Sequence, residues 1–311
     1  MQLPEELQSG IDEILQNTPP NVLRKAREAL TQTYRAGSDS SSVFADPAQR
    51  LAYLGTRMPA TFAAVSKALS QISLPCESLL DLGAGPGTAS WAASALFPSL
   101  KKITLVERSR EAILLGKALA QKAPHAVLQG AEWVHKSLTE MGSLPEAELI
   151  VLSYVLNELE DPVSLVDACW EKGQILVFVE PGTPKGFALI RALREKLLGR
   201  GAHLVAPCPH SKTCPNNWCH FAARLERTRL HRMLKEGALG FEDEKFSYLI
   251  VSKKTFPLTA SRILRHPLKQ SGHVRLSLCN QAGNLEERIV TRSQKEIYRQ
   301  ARDAKWGDPW L

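Results

Sequence analysis

The stretch Leu79-Leu80-Asp81-Leu82-Gly83-Ala84-Gly85-Pro86-Gly87-Thr88 sets three alternating glycines between an apolar run and a helical stretch. Glycine at such a place permits a tight turn and lets backbone N–H groups come close to a ligand at the start of the following helix. A dinucleotide fingerprint needs two residues before its third glycine, and here that glycine arrives one residue early. Asp81 adds a carboxylate at the end of the apolar run. Glu107 closes the next run, Ile103-Thr104-Leu105-Val106, and its two acceptor oxygens suit a diol. After the fourth run, Ser153-Tyr154-Val155-Leu156-Asn157-Glu158-Leu159 offers no evident base or nucleophile; Asn157 and Glu158 either line a pocket or cap a strand.

A second group of reactive side chains lies further on. Cys208, Cys214 and Cys219 fall within twelve residues of one another, interleaved with Pro207, Pro209, Pro215, His210 and His220. Six cysteines in 311 residues do not make a disulfide framework, so the clustering points to metal. Zinc ribbons prefer cysteines two residues apart, which this loop lacks. Irregular gaps with Cys-Pro steps suit an iron-sulfur cluster, which takes four thiolates. The fourth must be distant: Cys76, Cys169 or Cys279. Cys76 and Cys169 sit beside an apolar core and suit packing as small hydrophobes, which leaves Cys279 as the choice. His210 and His220 are alternates and would favour zinc.

Elements must bring these groups together. Leu23, Ala26, Leu30 and Tyr34 recur at helical spacing after the break at Pro19-Pro20; a polar loop follows at Ser38 to Ser42, then a helical stretch from about Asp46 to Ile72 with Pro59 near a helix start. From Ser78, short apolar runs alternate with helical stretches, which predicts strands at Ser78 to Leu82, Lys102 to Val106, Ala126 to Gln129, Leu149 to Tyr154 and Gln174 to Glu180. The fold class is α/β, a doubly wound sheet, in three parts. Residues 1–74 form an N-terminal helical cap, 75–200 the α/β domain, and 201–311 a cysteine-bearing, basic α+β module. The last contains an Arg-rich helix from about Phe221 to Lys235, a strand at Lys245 to Ser252 and a hairpin joining Val274 to Cys279 with Leu285 to Thr291.

Charge is also unevenly divided. Residues 1 to 183 carry 15 Lys+Arg against 21 Asp+Glu, and residues 184 to 311 carry 24 against 11. The rear part suits a polyanion, nucleic acid above all. On the expected helix, Arg224, Arg227, His231 and Lys235 share one face, and Arg275, Arg288 and Arg292 could extend the row across the hairpin. The longest apolar runs fall far short of the roughly 20 residues of a membrane span. The acidic opening, Met1 to Glu6, has neither a signal core nor a presequence character, so a cytoplasmic location is expected.

The glycine turn with Asp81 resembles motif I of the S-adenosylmethionine-dependent methyltransferases. That resemblance implies S-adenosylmethionine held by Asp81, Gly83, Gly85, Gly87, Glu107 and Asn157, with Glu107 on the ribose hydroxyls. The Asn/Asp-Pro-Pro-aromatic motif of amino-methylating enzymes, and the thiol of cytosine-C5 enzymes, are both missing after the fourth run. Over about four-fifths of its length the chain resembles the methyltransferase-like family associated with assembly of the small ribosomal subunit, known from mitochondria and bacteria. The matching stretches are Arg57 to Thr61, Asp81 to Gly87, Ser153 to Leu159, Glu180 to Pro184, Cys208 to Phe221, Cys279, and Lys305-Trp306-Gly307-Asp308. This resemblance implies a four-iron four-sulfur cluster on Cys208, Cys214, Cys219 and Cys279, and binding to small-subunit ribosomal RNA; a monomer with no membrane partner is expected. The expected function is that of a bacterial, cytoplasmic assembly factor. An active rRNA methyltransferase is the alternative, and a small-molecule methyltransferase with a zinc loop the weaker one.

Overall fold

The computed structural model describes residues 1–35, 40–235 and 237–311. Four helices open the chain: α1 (Glu5–Leu15), α2 (Pro20–Arg35), α3 (Ser40–Ala45) and α4 (Pro47–Leu69). Next come β1 (Ser78–Leu82), α5 (Thr88–Leu96), β2 (Lys102–Glu107), α6 (Arg110–Ala120), α7 (Ala126–Gln129), β3 (Glu132–His135), β4 (Ala147–Ser153), α8 (Pro162–Lys172), β5 (Gly173–Pro181) and α9 (Pro184–Gly199). The remainder holds β6 (His203–Ala206), β7 (Phe221–Glu226), α10 (Arg229–Lys235), β8 (Phe241–Ser252), β9 (Ser261–Ile263), β10 (Leu268–Gln270), β11 (His273–Asn280), β12 (Leu285–Thr291), α11 (Lys295–Asp303) and β13 (Pro309–Trp310). These form two compact units, Met1–Val179 with Ala223–Glu244, and Glu180–Ala222 with Lys245–Leu311. Among the described residues no helix is long and apolar enough to cross a membrane.

The first unit is built on parallel strands in the order β3-β2-β1-β4-β5. Leu80 of β1 sits opposite Thr104 on one side and Ile150 on the other. Leu79, Leu80, Leu149 to Leu152 and Leu176 to Val179 are almost wholly buried, as the near-continuous apolar runs require of strands covered on both faces. The chain order reverses at β1, so the C-terminal ends of β1 and β4 flank the crevice where ligands of such sheets bind. Helix α4 starts where Asp46 accepts a hydrogen bond from the Gln49 amide at 2.8 Å with Pro47 in the first turn.

Several elements differ from the sequence reading. Pro59 lies inside α4 instead of near a helix start. Ala126–Gln129 is a short helix, and the third strand is Glu132–His135. Of the expected loop at Ser38 to Ser42, residues 38 and 39 lie outside the described residues and Ser40 begins α3. The expected Arg-rich helix starts as strand β7, because Ala223 and Leu225 point inward while Arg224 and Glu226 point out, a period of two; only Arg229–Lys235 is helical.

In the second unit β6 runs antiparallel to β8, with His203 opposite Ser252 and Leu204 opposite Val251. A separate antiparallel sheet has the order β10-β11-β9-β13, with β12 on β11. The hairpin read from sequence is present, Val274 opposite Val290 and Leu278 opposite Glu286. Its inner face packs Val274, Leu276, Leu278 and Val290 against Ile263, Ala301 and Trp310.

Candidate cofactor and nucleic-acid sites

All three glycines of the turn after β1 have left-handed backbones, with φ of +68° at Gly83, +55° at Gly85 and +82° at Gly87. Their reasons differ. A Cβ on Gly83 would stand 2.4 Å from Val155 Cγ2, and one on Gly87 would crowd Leu105 and Trp133 at 3.2 and 3.3 Å. Those two serve the protein's own packing. At Gly85 the nearest atoms, Phe44 Cζ and Tyr53 Oη, are both 3.9 Å away. Gly85 therefore faces space bounded by two rings from α3 and α4, whose centroids are 5.0 Å apart. Burial pushes the Tyr53 phenol up to about 12 against the pull of Arg57.

Asp81 is completely buried. Its Oδ2 accepts from the Ser90 amide at 3.1 Å and the Ser90 hydroxyl at 2.8 Å, whereas Oδ1 is buried with no partner. Burial outweighs the Ser90 bonds and lifts the carboxyl to about 7. Glu107 accepts from the Gly85 amide through Oε2 at 2.8 Å and from the Ser109 amide through Oε1 at 2.7 Å. Each oxygen retains a second lone pair for a diol, and burial raises this carboxyl as well. Asn157 lies in the short turn Leu156–Glu158 after β4, and Glu158 Oε2 approaches Arg108 at 3.5 Å, so the loops after β4 and β2 meet over the β1 turn. These groups fit a ligand with a cation to set against Asp81 and vicinal hydroxyls to set against Glu107, which are features of S-adenosylmethionine.

Sequence reasoning missed Phe44, Tyr53 and the pair Tyr154–Glu244. Tyr154 follows β4 with φ +59°, rare for a bulky residue. Its amide donates to Val179 O at 2.7 Å and its hydroxyl to Glu244 Oε1 at 3.2 Å, an oxygen that Arg57 also approaches at 3.4 Å. No glycine or asparagine marks that backbone in the sequence.

In the second unit Cys208, Cys214 and Cys219 are half-buried in the loop between β6 and β7, and Cys279 is buried on β11. All are free thiols, as are the buried Cys76 and Cys169. Among the described residues no three His, Cys, Asp or Glu side chains are arranged to hold a metal ion. The four are nonetheless neighbours. Burial pushes up Cys208, Cys219 and Cys279, the last to about 12, and charge on the other thiols of the group raises each further. Arg194 and Arg262 oppose this at Cys208. Cys279 Sγ lies 3.4 Å from His210 Nε2. Arg194, itself buried, donates to His210 O at 2.6 Å and Lys212 O at 2.8 Å, and Arg262 to Pro207 O at 2.7 Å. Buried guanidinium groups thus border Cys208.

The expected row of cations is not a surface row. Arg227 Nη2, His231 Nε2 and Lys235 Nζ all converge on Glu242, at 3.0, 3.3 and 2.5 Å. Arg224 makes a bidentate pair with Asp243, both contacts at 2.8 Å, and lies over the Phe241 ring. Arg275 and Arg288 do not join either: Arg288 is opposite Leu276, on the other face of the hairpin from Arg275. The positive charge instead belongs to the second unit as a whole, with 19 Lys+Arg against 7 Asp+Glu.

Relatives 28% identical to this chain include a fission-yeast and a human protein. One is the Rsm22-cox11 tandem protein 2, mitochondrial, of Schizosaccharomyces pombe, matched over 87% of this chain and 44% of that protein. The other is the human ribosome assembly protein METTL17, mitochondrial, over 83% and 61%. The chain thus spans about half the length of these relatives. Magnesium protoporphyrin IX methyltransferase of Synechocystis PCC 6803 with bound SAM is similar at a TM-score of 0.41 and 15% identity, over 66% of this chain and 83% of that one, too weakly to add to the strand order. The expectation of a bacterial cytoplasmic protein is corrected by the relatives: both are mitochondrial by name and point to mitochondria. Residues 47–311 match the family described as mitochondrial small ribosomal subunit Rsm22, and the chain belongs to that family.

Proposed function

We propose that this protein is a mitochondrial assembly factor of the small ribosomal subunit that holds S-adenosylmethionine at the β1 turn and binds ribosomal RNA through its second unit. Family membership supports the ribosomal part, along with the description of METTL17 as a ribosome assembly protein. Two observations support the cofactor: Asp81 Oδ1 is buried without a partner, and Gly85 borders open space under Phe44 and Tyr53. Asp81, Gly85 and Glu107 bind and orient the ligand, Asn157 lines its pocket, and Gly83 and Gly87 hold the turn in shape. A test is ultraviolet crosslinking of the tagged protein in mitochondria followed by sequencing. Reads concentrated on small-subunit rRNA are expected; reads spread in proportion to RNA abundance would refute the reading.

Cys208, Cys214, Cys219 and Cys279 are proposed to hold a four-iron four-sulfur cluster, supported by their neighbourhood and by the buried cations Arg194 and Arg262 near Cys208. Cys279 on β11 and the three cysteines of the loop after β6 would together hold such a cluster, which would tie the two segments and order the second unit as structural metals do. Protein purified without oxygen should be brown; a colourless protein with stoichiometric zinc would replace the cluster by the zinc alternative.

An active rRNA methyltransferase is the second reading. It is favoured by the strained backbone of Tyr154 at the end of β4, where methyltransferases carry catalytic groups. S-adenosylmethionine would supply the electrophilic methyl group, and Tyr154, tied to Glu244, would line the acceptor side.

A further inference from the structure

Within the second unit, the residues just before Cys219 form an aromatic stack with one open end. Trp218 stacks on His220 with ring centroids 4.4 Å apart and planes at 25°. His220 is buried and meets Trp306 edge-on at 5.0 Å. His266 meets the same indole at 5.1 Å, and the Arg265 guanidinium lies 5.6 Å from its centre. At the outer end, Trp218 remains 37% exposed, although a large indole in a folded domain ordinarily buries most of its area.

The exposed ring is fixed in place. Its Nε1–H donates to Gly182 O at 3.2 Å, and its amide donates to Asn216 Oδ1 at 3.2 Å. Gly182 in turn donates to Lys245 O at 3.0 Å, and a Cβ on Gly182 would lie 2.7 Å from the Lys245 backbone. This close approach sets the Lys245 backbone against Gly182, whose carbonyl anchors the indole. An aromatic face held rigid and backed by a second ring is what single-stranded nucleic acid uses: bases stack on the ring, and phosphates meet cations of the surrounding surface. The unit's 19 Lys+Arg against 7 Asp+Glu favour a polyanion over an acceptor of the indole face that is itself cationic.

We propose that Trp218 is a stacking platform for an unpaired base of single-stranded RNA, with Lys245 meeting an adjoining phosphate. The proposal rests on the RNA-binding reading above and places that binding at one ring. A helical RNA keeps its bases stacked on each other and cannot offer one to Trp218, so the platform selects loops, bulges and ends.

The test uses the full chain purified without oxygen, an unstructured 12-nucleotide RNA labelled at one end, and the same sequence as a blunt duplex. Variants are Trp218→Ala, Trp218→Phe and Lys245→Gln, each checked for an unchanged visible spectrum and unfolding midpoint. Trp218→Ala should weaken single-strand binding about tenfold with little change for the duplex. Trp218→Phe should keep most of the affinity but lose the fluorescence quenching that RNA produces in the wild type. Lys245→Gln should lower the log-log salt slope by about 0.7, a change Trp218→Ala should not make. Single-strand binding by Trp218→Ala equal to wild type, or quenching that persists in Trp218→Phe, would overturn the platform while leaving RNA binding intact. An equal loss for single strand and duplex would also overturn it, assigning the effect to the phosphate surface. Wild-type protein that binds neither RNA would instead defeat the RNA-binding reading on which the platform rests. Should Trp218→Ala fail to fold, the quenching comparison with Trp218→Phe decides alone.

Discussion

Asp81 receives both hydrogen bonds from Ser90 on a single oxygen, Oδ2, and its Oδ1 is sealed inside the first unit without a partner. The folded carboxyl, at about 7, stands above its ordinary value of 3.8. A raised carboxyl contributes stability below the unfolded value and loses it as pH rises through the folded one. The ligand-free protein should therefore weaken between about pH 4 and pH 7, by an amount on the order of 4 kcal/mol at most for this group. Asp81→Asn should raise the unfolding midpoint at pH 8 and leave it unchanged at pH 4, as differential scanning calorimetry would register. A variant less stable than wild type at pH 8 would count against the buried charge.

The same carboxylate should set the pH dependence of ligand binding. If its charge faces the cationic part of S-adenosylmethionine, affinity climbs with pH up to about 7, by as much as tenfold per unit, and is flat above. Calorimetric titration of wild type and Asp81→Asn from pH 5.5 to 8.5 checks this. A flat profile in the wild type would detach Asp81 from the ligand.

Gly83 and Gly85 should respond in opposite ways. Gly83→Ala drives a Cβ to 2.4 Å from Val155 in a left-handed backbone and should cost about 2–4 kcal/mol of stability. Gly85→Ala meets nothing closer than 3.9 Å and should cost only about 1–2 kcal/mol, from its φ of +55°. Gly85→Arg should fill the space under Phe44 and Tyr53 and abolish S-adenosylmethionine binding in a protein that still folds. Urea unfolding beside titration separates these outcomes; Gly83→Ala as stable as wild type would contradict the packing account.

Glu242 is the charge that Arg227, His231 and Lys235 share. Burial alone would raise its carboxyl, but His231, Lys235 and Arg227 outweigh burial and hold it well below the usual carboxylate range. Stability from this group is present above the ordinary carboxylate value and is lost only as strong acid titrates the folded form. Glu242→Gln leaves the cations around it partly buried without their counter-charge and should cost about 3–5 kcal/mol at pH 7. A loss under about 1 kcal/mol by urea titration would mean that water screens the cluster.

The sequence reading succeeded where burial and periodicity agree. β1 was legible to the residue because Ser78 to Leu82 is an apolar run closed by a glycine turn, and the β11–β12 hairpin because its alternation meets Asn280 to Asn284. It failed where side chains and burial diverge. Glu132–His135 has no fully buried residue and so no apolar signal, whereas the apolar Ala126-Val127-Leu128 winds into a short helix. Phe221–Glu226 is rich in helix-forming residues, yet pairing with β8 makes it a strand. The cations spaced along 224–235 looked like one exposed face because nothing local reveals Glu242, which only the return of β8 brings beneath them. Phe44 and Tyr53 reach Gly85 from 41 and 32 residues away, a proximity no spacing rule encodes.

Because Arg224 and Arg227 are engaged with Asp243 and Glu242, changing them should affect folding and leave the RNA salt slope intact. Arg227→Gln should lower the unfolding midpoint, and filter binding across salt concentrations should return the wild-type slope. A slope reduced by about 0.7 to 0.9 would return these cations to the RNA.

Sedimentation reads an assembly role in the small ribosomal subunit served by the β1 turn. Mitochondrial extracts from a deletion strain, and from the same strain carrying wild type or Gly85→Arg, are resolved on density gradients and probed for small-subunit rRNA. The deletion should deplete the small-subunit peak, which wild type restores and Gly85→Arg restores poorly, with the large subunit unaffected. A small-subunit peak of normal height in the deletion strain would contradict that role.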